Sequence, residues 1–262
     1  MTHARALARV DDRGDRLVVV NMNATRRGAL SPDLYAAIGD ALKGAQDRRI
    51  RAVILTSEGG FFCAGGDMNV LIDRRKLSEP ERRAKVDDLH DLVRGIRACP
   101  VPVIAAVEGG AAGAGASLAF ACDLIVAAEG AKFTAAYVKA GLVPDAGLTS
   151  ALARMIPRQL AMEMCLLARP VTSERLQALG AITAVVAPGE AEAEAMRLAD
   201  ALAQGPRGAQ GAIRRLVAQA YEATEAQQLD AERDAMAAAA GGDEAAEGIA
   251  AFLERRSPRF GG

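Results

Sequence analysis

The sequence predicts an α/β fold followed by a helical C-terminal region. Apolar runs of strand length occur at residues 52–55, 103–107 and 124–128, and stretches with helical spacing of apolar residues separate them. Beyond residue 190 these runs stop and alanine-rich helical patterns follow. A chain of 262 residues, 51% of them hydrophobic, suits one large domain with a helical appendage. We therefore divide it into a core over residues 1–190 and a C-terminal region over residues 191–262.

Composition and charge exclude several classes of partner. The net charge is −1 and no basic stripe is present, which argues against a nucleic-acid partner. No apolar run reaches membrane-spanning length, and the first residues lack the apolar core of a signal peptide. Cys63, Cys99, Cys122 and Cys165 have no metal-ligand spacing. We expect a cytoplasmic protein with reduced thiols, no metal and no membrane partner.

The first elements have clear boundaries in the sequence. Residues 16–21 are an apolar run typical of a strand. Residues 31–33, Ser-Pro-Asp, combine a capping hydroxyl, a proline suited to a first helical turn and an acid near the positive end of the helix dipole. Leu34, Ile38 and Leu42 would then share one apolar helix face.

The middle of the chain is punctuated by two glycine-rich turns. After the first turn, residues 72–81 are charged and include Pro80, which favours a mobile loop over a site. A helix is predicted to resume over residues 87–96. The helix that follows the second turn closes at residues 119–121, and a buried strand comes next.

The C-terminal third has only helical patterns. We predict helices over residues 190–204, 209–239 and 244–255, separated by Gly205-Pro206 and Gly241-Gly242. Their apolar faces need a partner, either in the same chain or in another.

The two glycine-rich turns are the strongest functional signal. Residues 58–68 (EGGFFCAGGDM) and 109–118 (GGAAGAGASL) each follow an apolar strand. Small residues there can leave main-chain N–H groups bare, and two converging N–H groups stabilise an oxyanion. The structural interpretation is that the glycines only allow tight turns and close packing. The second turn fits a dinucleotide fingerprint poorly, because Leu118 stands at its third glycine position.

Three segments give these turns a family context. FCAGGDM, AAVEGGAAGAGASLAFACDL and KFTAAYVKAGLVPDAGLTSALARMIP occur in the order and spacing of the crotonase family, also called enoyl-CoA hydratase/isomerase. The resemblance extends to the tail at residues 248–260. It implies a crotonase-type spiral of repeated ββα units, C-terminal helices that build a homotrimer or a dimer of trimers, and an acyl-CoA thioester substrate. Coenzyme A would then be part of the substrate, and no cofactor is expected.

The resemblance also implies which groups act. The main-chain N–H groups of Gly66 and Ala114 would form the oxyanion hole. Hydratases of the family have two glutamates that activate water, and here Ser117 and Tyr137 occupy those positions. Since neither side chain is a good base near neutral pH, hydration becomes an alternative and not the leading prediction.

Asp145 is the remaining acid in this region. Family branches that shift double bonds place an aspartate in this turn, and the chain most resembles the ring-epoxyphenylacetyl-CoA isomerase and enoyl-CoA isomerase branch. An isomerase needs one carboxylate, which moves a proton between two carbons while the oxyanion hole holds the enolate. The structural alternative for Asp145 is an Asx turn after Pro144.

Two further functions stay open. Aryl-CoA dehalogenases of the family use an aspartate, an aromatic residue and a histidine at the positions of Asp145, Tyr137 and His90. The polar surroundings of His90 instead favour an exposed helix residue. A non-catalytic acyl-CoA binder that has lost both glutamates is the third possibility.

The resemblance assigns the remaining site residues. We expect the acyl pocket to be lined by Ser117, Tyr137, His90 and Met68. We expect coenzyme A to be bound by Arg26, Arg27, Ala64, Gly66, Asp67, Phe252 and Arg256. Asp67 would in addition cap N–H groups after its glycine turn.

Overall fold

The strands form two sheets in the computed structural model, which describes residues 6–260. The strands are β1 (Ala8–Asp12), β2 (Arg16–Asn21), β3 (Ala52–Ser57), β4 (Val103–Val107), β5 (Gly110–Ala112), β6 (Leu124–Ala128), β7 (Lys132–Thr134), β8 (Val171–Thr172) and β9 (Ala184–Val186). The larger sheet has the order β1-β2-β3-β4-β6-β9, and the smaller has the order β5-β7-β8. The pairs from β2 to β9 are parallel, whereas β1 is antiparallel to β2.

Helices follow most strands and then continue alone. They are α1 (Pro32–Gly44), α2 (Met68–Arg74), α3 (Glu79–Ala98), α4 (Ala114–Ala121), α5 (Leu148–Met155), α6 (Arg158–Leu167), α7 (Ser173–Ala178), α8 (Ala191–Ala203), α9 (Arg207–Gln219), α10 (Glu225–Ala240) and α11 (Asp243–Glu254). A short 3₁₀ helix covers Ala136–Ala140. None of the helices within residues 6–260 has the length and apolar character needed to cross a membrane.

A repeated unit generates the spiral. In the unit β4-β5-α4, β4 lies in the larger sheet and β5 in the smaller one, and β6 and β7 repeat this division. β5 pairs in parallel with β7, just as β4 pairs in parallel with β6. Each of these two units therefore adds one strand to each sheet, and the predicted fold class is confirmed.

Helix α1 begins as its sequence predicts. The Ser31 hydroxyl accepts the Leu34 N–H, and Pro32 occupies the first turn. Leu34 and Ile38 are buried, and Leu42 packs against the same core. The helix thus closes one face of the larger sheet and brings its first turn toward the site.

The predicted loop over residues 72–81 is wrong. This segment contains the end of α2 and the start of α3, which begins at Glu79 and not at residue 87. Ser78 and Glu81 form a capping box, and Pro80 lies in the first turn, where its missing N–H costs nothing. Most of the segment is therefore helical, and residues 75–78 form the short connection between the two helices.

The C-terminal helices differ from the prediction in two ways. The predicted helix over residues 209–239 is divided, because the capping box of Thr224 and Gln227 starts α10 anew. Helix α8 covers the outer face of the larger sheet, where Ala195 and Ala199 are buried against Val18 and Ile54. It belongs to the sheet's core, so the helices that extend beyond the core begin with α9. The division at residue 190 stays a prediction.

Candidate active site

The two glycine-rich turns lie side by side. Residue Cys63 forms a parallel bridge with Ala111, and the Ala112 N–H donates to the Cys63 carbonyl at 2.9 Å. The approach is so close that a Cβ on Gly115 would lie 2.1 Å from the Cys63 oxygen. A Cβ on Gly65 would lie 3.0 Å from the Ala114 nitrogen. Glycine is therefore required at both contacts.

Two bare N–H groups result from this packing. Gly66 follows Gly65, which has a φ of +88° that favours glycine. Ala114 is the first residue of α4, after Gly113 with a φ of +52°. Neither the Gly66 N–H nor the Ala114 N–H donates a hydrogen bond to any of residues 6–260. Since the second group also lies at the positive end of α4, the pair suits a developing oxyanion.

Helix α2 lies against this pair of donors. The Asp67 side chain caps it by accepting the Asn69 N–H at 2.9 Å, as the sequence predicts. Leu71 approaches Gly66, where a Cβ would meet its Cδ1 at 3.5 Å. Met68, a predicted pocket residue, is largely exposed at the start of the helix. Helix α2 thus forms one side of the site.

Asp145 lies in a hydrogen-bonded group with the two residues that replace the glutamates. The Tyr137 hydroxyl donates to Asp145 Oδ1 at 2.7 Å. The buried Ser117 hydroxyl lies 2.8 Å from Tyr137 Oη and 3.1 Å from the Asp145 carbonyl oxygen, so its one proton is shared between these acceptors. Within residues 6–260, Asp145 Oδ2 has no hydrogen-bond or ion-pair partner. One carboxylate oxygen is oriented and the other is available.

Tyr137 is a stable hydrogen-bond donor in this group. Burial raises the pKa of its hydroxyl far above the ordinary value, and the nearby Asp145 carboxylate raises the pKa further. The hydroxyl keeps its proton at neutral pH and cannot act as a base there.

His90 reaches the same turn, contrary to the expectation of an exposed helix residue. Its Nε2 accepts the Ala146 N–H at 3.2 Å, and its side chain is 34% exposed. Because Nε2 accepts, the proton of the neutral ring is on Nδ1, which lies 3.9 Å from Asp87 Oδ1. Ala146 has a φ of +51°, so His90 supports a turn in an unfavourable backbone conformation.

Comparisons with known proteins fit this geometry. The sequence model described as enoyl-CoA hydratase/isomerase matches residues 12–262. The chain belongs to the enoyl-CoA hydratase/isomerase family. A 1,2-epoxyphenylacetyl-CoA isomerase of Escherichia coli (strain K12) is 37% identical over 239 residues, which cover 90% of this chain and 91% of that one.

Other relatives carry hydratase names. A probable enoyl-CoA hydratase of Rhodobacter capsulatus is 35% identical, over 95% of this chain and 92% of that one. The crystal structure of an enoyl-CoA hydratase from Polaromonas sp. JS666 superposes with a TM-score of 0.92 at 41% identity, covering 96% of this chain and 98% of that one. The comparisons thus establish an acyl-CoA enzyme family that contains both isomerases and hydratases.

Five of the residues that the family resemblance assigns to coenzyme A lie together. The Ala64 N–H donates to the Arg27 carbonyl at 2.9 Å, and the Arg27 guanidinium lies 4.0 Å above the Phe61 ring. Arg26 forms an ion pair with Asp67. With Gly66, these residues form a continuous surface beside the oxyanion donors.

Phe252 and Arg256 are not brought to this surface within the chain. The side chain of Phe252 is 84% exposed on α11, and Arg256 pairs with Glu247 and Glu254. The tail that follows is held by Arg51, whose guanidinium donates to the Phe260 carbonyl at 2.8 Å. Arg51 precedes β3, so the tail lies at the amino ends of the strands, opposite the glycine turns. Their role in binding coenzyme A stays a prediction.

Sequence reasoning missed Tyr35. Burial raises the pKa of the Tyr35 hydroxyl to about 12, the positive charge of Arg74 opposes this rise, and the Asp145 carboxylate adds to it. Tyr35 therefore lies within electrostatic range of both charged side chains. Tyr35 lies in the first turn of α1, next to Leu34 on the buried face. Arg74 fell in the segment that was predicted to be a loop, so its direction could not be inferred.

The thiols take no part in this site. All four cysteines are free, and burial raises the pKa of Cys63 to about 12. Burial also raises the pKa of Cys122. Protonated buried thiols are unreactive. Among residues 6–260, no cluster of three or more His, Cys, Asp or Glu side chains could hold a metal ion.

Proposed function

We propose that the protein isomerises a double bond in an acyl-CoA thioester, with Asp145 as the proton shuttle. The supporting observation is the hydrogen-bonded group of Ser117, Tyr137 and Asp145. Within residues 6–260, Asp145 is its only carboxylate, and it has one oriented and one free oxygen. The similarity to a 1,2-epoxyphenylacetyl-CoA isomerase supports this choice, and a ring-epoxide thioester is a second substrate to test.

The reaction needs only the groups that face the site. Asp145 Oδ2 removes a proton from C2 of a 3-enoyl thioester, and the electron pair moves onto the thioester oxygen. The N–H groups of Gly66 and Ala114 hold the resulting dienolate oxygen. Asp145 then returns the proton to C4, and the double bond forms between C2 and C3. Atoms and charges balance without water or another reactant.

Hydration would need a second acid–base group. Water must lose a proton to one group while another delivers a proton to C2. Ser117 and the high-pKa Tyr137 occupy the two relevant positions and hydrogen-bond to each other. This pairing supports isomerisation over hydration.

The test uses 3-enoyl-CoA and epoxyphenylacetyl-CoA thioesters with wild type and Asp145→Asn. Loss of the base should lower kcat by about 100- to 10,000-fold while binding is kept. Asp40→Asn, on the exposed face of α1, is the matched control and should leave kcat unchanged. Equal activity of wild type and Asp145→Asn would reduce Asp145 to a turn residue. Binding without turnover in wild type would favour a non-catalytic acyl-CoA binder.

The alternative function, hydrolytic dehalogenation, depends on the position of His90. In hydrolytic dehalogenation, the Asp145 carboxylate would attack the ring carbon that bears the halogen of an aryl-CoA, and halide would leave. Water would then cleave the aryl ester and restore Asp145. His90 Nε2 already accepts the Ala146 N–H, which leaves it poorly placed to activate that water. Halide release from halobenzoyl-CoA would decide for this function.

We also propose that coenzyme A lies along Arg26, Arg27, Ala64, Gly66 and Asp67. Phe252 and Arg256 would contribute to the site of a neighbouring subunit in a homotrimer or dimer of trimers. Exposed apolar side chains on the last helices support such contacts: Ile213, Val217, Leu229, Met236, Ile249, Phe252 and Leu253. Sedimentation equilibrium should give three or six subunits, and a monomer would contradict the assembly.

A further inference from the structure

The peptide unit that follows Asp145 is held at both of its polar groups. The Asp145 carbonyl accepts the Leu148 N–H at 3.1 Å and lies 3.1 Å from the Ser117 hydroxyl. On the other side of the same peptide bond, the Ala146 N–H donates to His90 Nε2 at 3.2 Å. Because a peptide unit is planar, these contacts together fix its orientation and restrict rotation about the Asp145 Cα–C bond.

The turn beyond this peptide unit has an unfavourable backbone conformation. Ala146 has a φ of +51° and Gly147 a φ of +77°, so two successive residues are left-handed and only the second is a glycine. Such a conformation persists only where its surroundings hold it. Ala146 is also buried, so water offers little replacement for the His90 acceptor. Without that acceptor the N–H would be unpaired, and rotation of the peptide unit is the simplest way for the turn to relieve the cost.

Helix α3 meets this turn at two places. His90 contacts Ala146. Arg97, seven residues further along the same helix face, approaches Gly147, since a Cβ on this glycine would lie 3.1 Å from Arg97 Nη2. Val93, between the two contacts, is buried in the core. The acceptor is therefore carried by a packed helix and not by a loop.

We propose that His90 is a positioning residue, which holds the main chain of Asp145 so that Oδ2 stays aligned with the reacting carbons. The inference rests on the proposed function, in which Asp145 is the base. Tyr137 holds the carboxylate at Oδ1, and His90 holds the peptide unit behind it. The Nε2 lone pair is engaged by the Ala146 N–H, and the other ring nitrogen carries the proton. The neutral ring therefore has no free lone pair with which to take a proton from water or substrate.

Kinetics on a 3-enoyl-CoA test this role. His90→Leu removes the acceptor and should lower kcat by about 10- to 100-fold, since a misplacement of about 1 Å costs on the order of 100-fold. KM should change little, because His90 acts on the base and not on binding. His90→Gln offers an amide oxygen as acceptor and should recover most of the loss. Asp91→Leu, at the next and exposed position of α3, is the matched control and should leave kcat unchanged, and circular dichroism should confirm that the variants are folded.

The tautomer of His90 can be measured without turnover. The chain has two histidines, and His3 lies outside the described residues. In a His3→Gln background, long-range proton–nitrogen NMR correlations report only the His90 ring. The neutral ring should carry its proton on Nδ1, with Nε2 as the acceptor. A proton on Nε2 would overturn the proposal, because the ring would then be unable to accept the Ala146 N–H.

The kinetic outcomes separate this inference from the proposed function. His90→Leu with the kcat of wild type would overturn the positioning role, and His90→Gln as slow as His90→Leu would overturn it in favour of proton transfer by the ring. A slow Asp145→Asn beside a fast His90→Leu would leave the proposed function standing alone. Asp145→Asn with the kcat of wild type would overturn the proposed function and this role with it.

Discussion

Gly115→Ala should damage the site through a single methyl group. The added Cβ would lie 2.1 Å from the Cys63 oxygen and 2.7 Å from the Cys63 carbonyl carbon. Real Cβ contacts are at least 3.0 Å, so the Cys63 carbonyl must retreat by about 0.9 Å. The neighbour is backbone, and no side-chain rotation can relieve the clash. The retreat would disturb the 2.9 Å hydrogen bond from the Ala112 N–H.

The size of the effect follows from this displacement. Overpacking of a tight core contact costs about 1–3 kcal/mol of unfolding free energy. The Gly66 and Ala114 N–H groups must both stay within hydrogen-bond distance of one oxygen. The range of distances that keeps both hydrogen bonds is narrower than the retreat of the Cys63 carbonyl by about 0.9 Å. Loss of one oxyanion donor lowers kcat by about 100- to 1,000-fold. We expect a folded, destabilised variant whose kcat falls by this factor.

Thermal unfolding and steady-state kinetics on an acyl-CoA substrate measure both effects. Gly60→Ala is the matched control, because it lies beside the same strand end, has no neighbour within 4 Å of the added Cβ and has an ordinary φ. It should change stability and kcat little. A Gly115→Ala variant that keeps kcat within a few fold of wild type would refute the argument that this contact sets the spacing of the donors.

The other predictions concern three side chains around or below the site. Tyr137→Phe should lower kcat by about tenfold or more at unchanged KM, because a hydrogen bond to a carboxylate contributes about 1.5–3 kcal/mol. A higher KM at unchanged kcat would instead mean that Tyr137 only contacts the substrate. Arg214→Met should lower the unfolding free energy by about 1–3 kcal/mol, since the largely buried Arg214 side chain donates to Asp123 at 2.7 Å and to the Cys99 and Ile96 carbonyls. Urea unfolding checks this, and a loss below 1 kcal/mol, on the order of an exposed pair, would contradict it. The Tyr35 hydroxyl has a pKa of about 12 when folded and about 10 when unfolded, so the unfolded chain loses this proton first. Between these values, stability should fall as pH rises, and Tyr35→Phe should show a shallower fall in urea unfolding at pH 9–12.

The close approach of the two glycine-rich turns could be predicted from sequence because its cause is local. Each glycine-rich segment follows an apolar strand, and only small residues allow the approach of Cys63 to Gly115. The partners of Asp145 depended on where separate elements meet. His90 reaches Ala146 across 56 residues of sequence, a contact set by the rotation of α3. Periodicity gives the faces of a helix but not which polar side chain meets a distant turn.

The starts of the helices near the site were also hard to predict from the sequence. The Ser78 to Glu81 capping box was present in the sequence, yet the surrounding charges favoured a loop. A charged segment without a clear apolar face is ambiguous until its packing partner is known. Arg74 lay in the part that was misassigned, so the helix face that it shares with Leu71 could not be inferred.

Backbone groups and side chains have different roles in the proposed site. The Gly66 and Ala114 N–H groups belong to the backbone, so oxyanion stabilisation persists whatever the side chains do, provided that Gly65 and Gly115 keep the turns close. The proton chemistry depends on side chains, and here Ser117 and Tyr137 hydrogen-bond to each other while Tyr137 donates to Asp145. Under the proposed function, a change of a few side chains would exchange hydration for isomerisation without moving the two N–H donors. For this reason the Asp145 variant tests which reaction occurs, whereas the Gly115 variant tests the step that both reactions share.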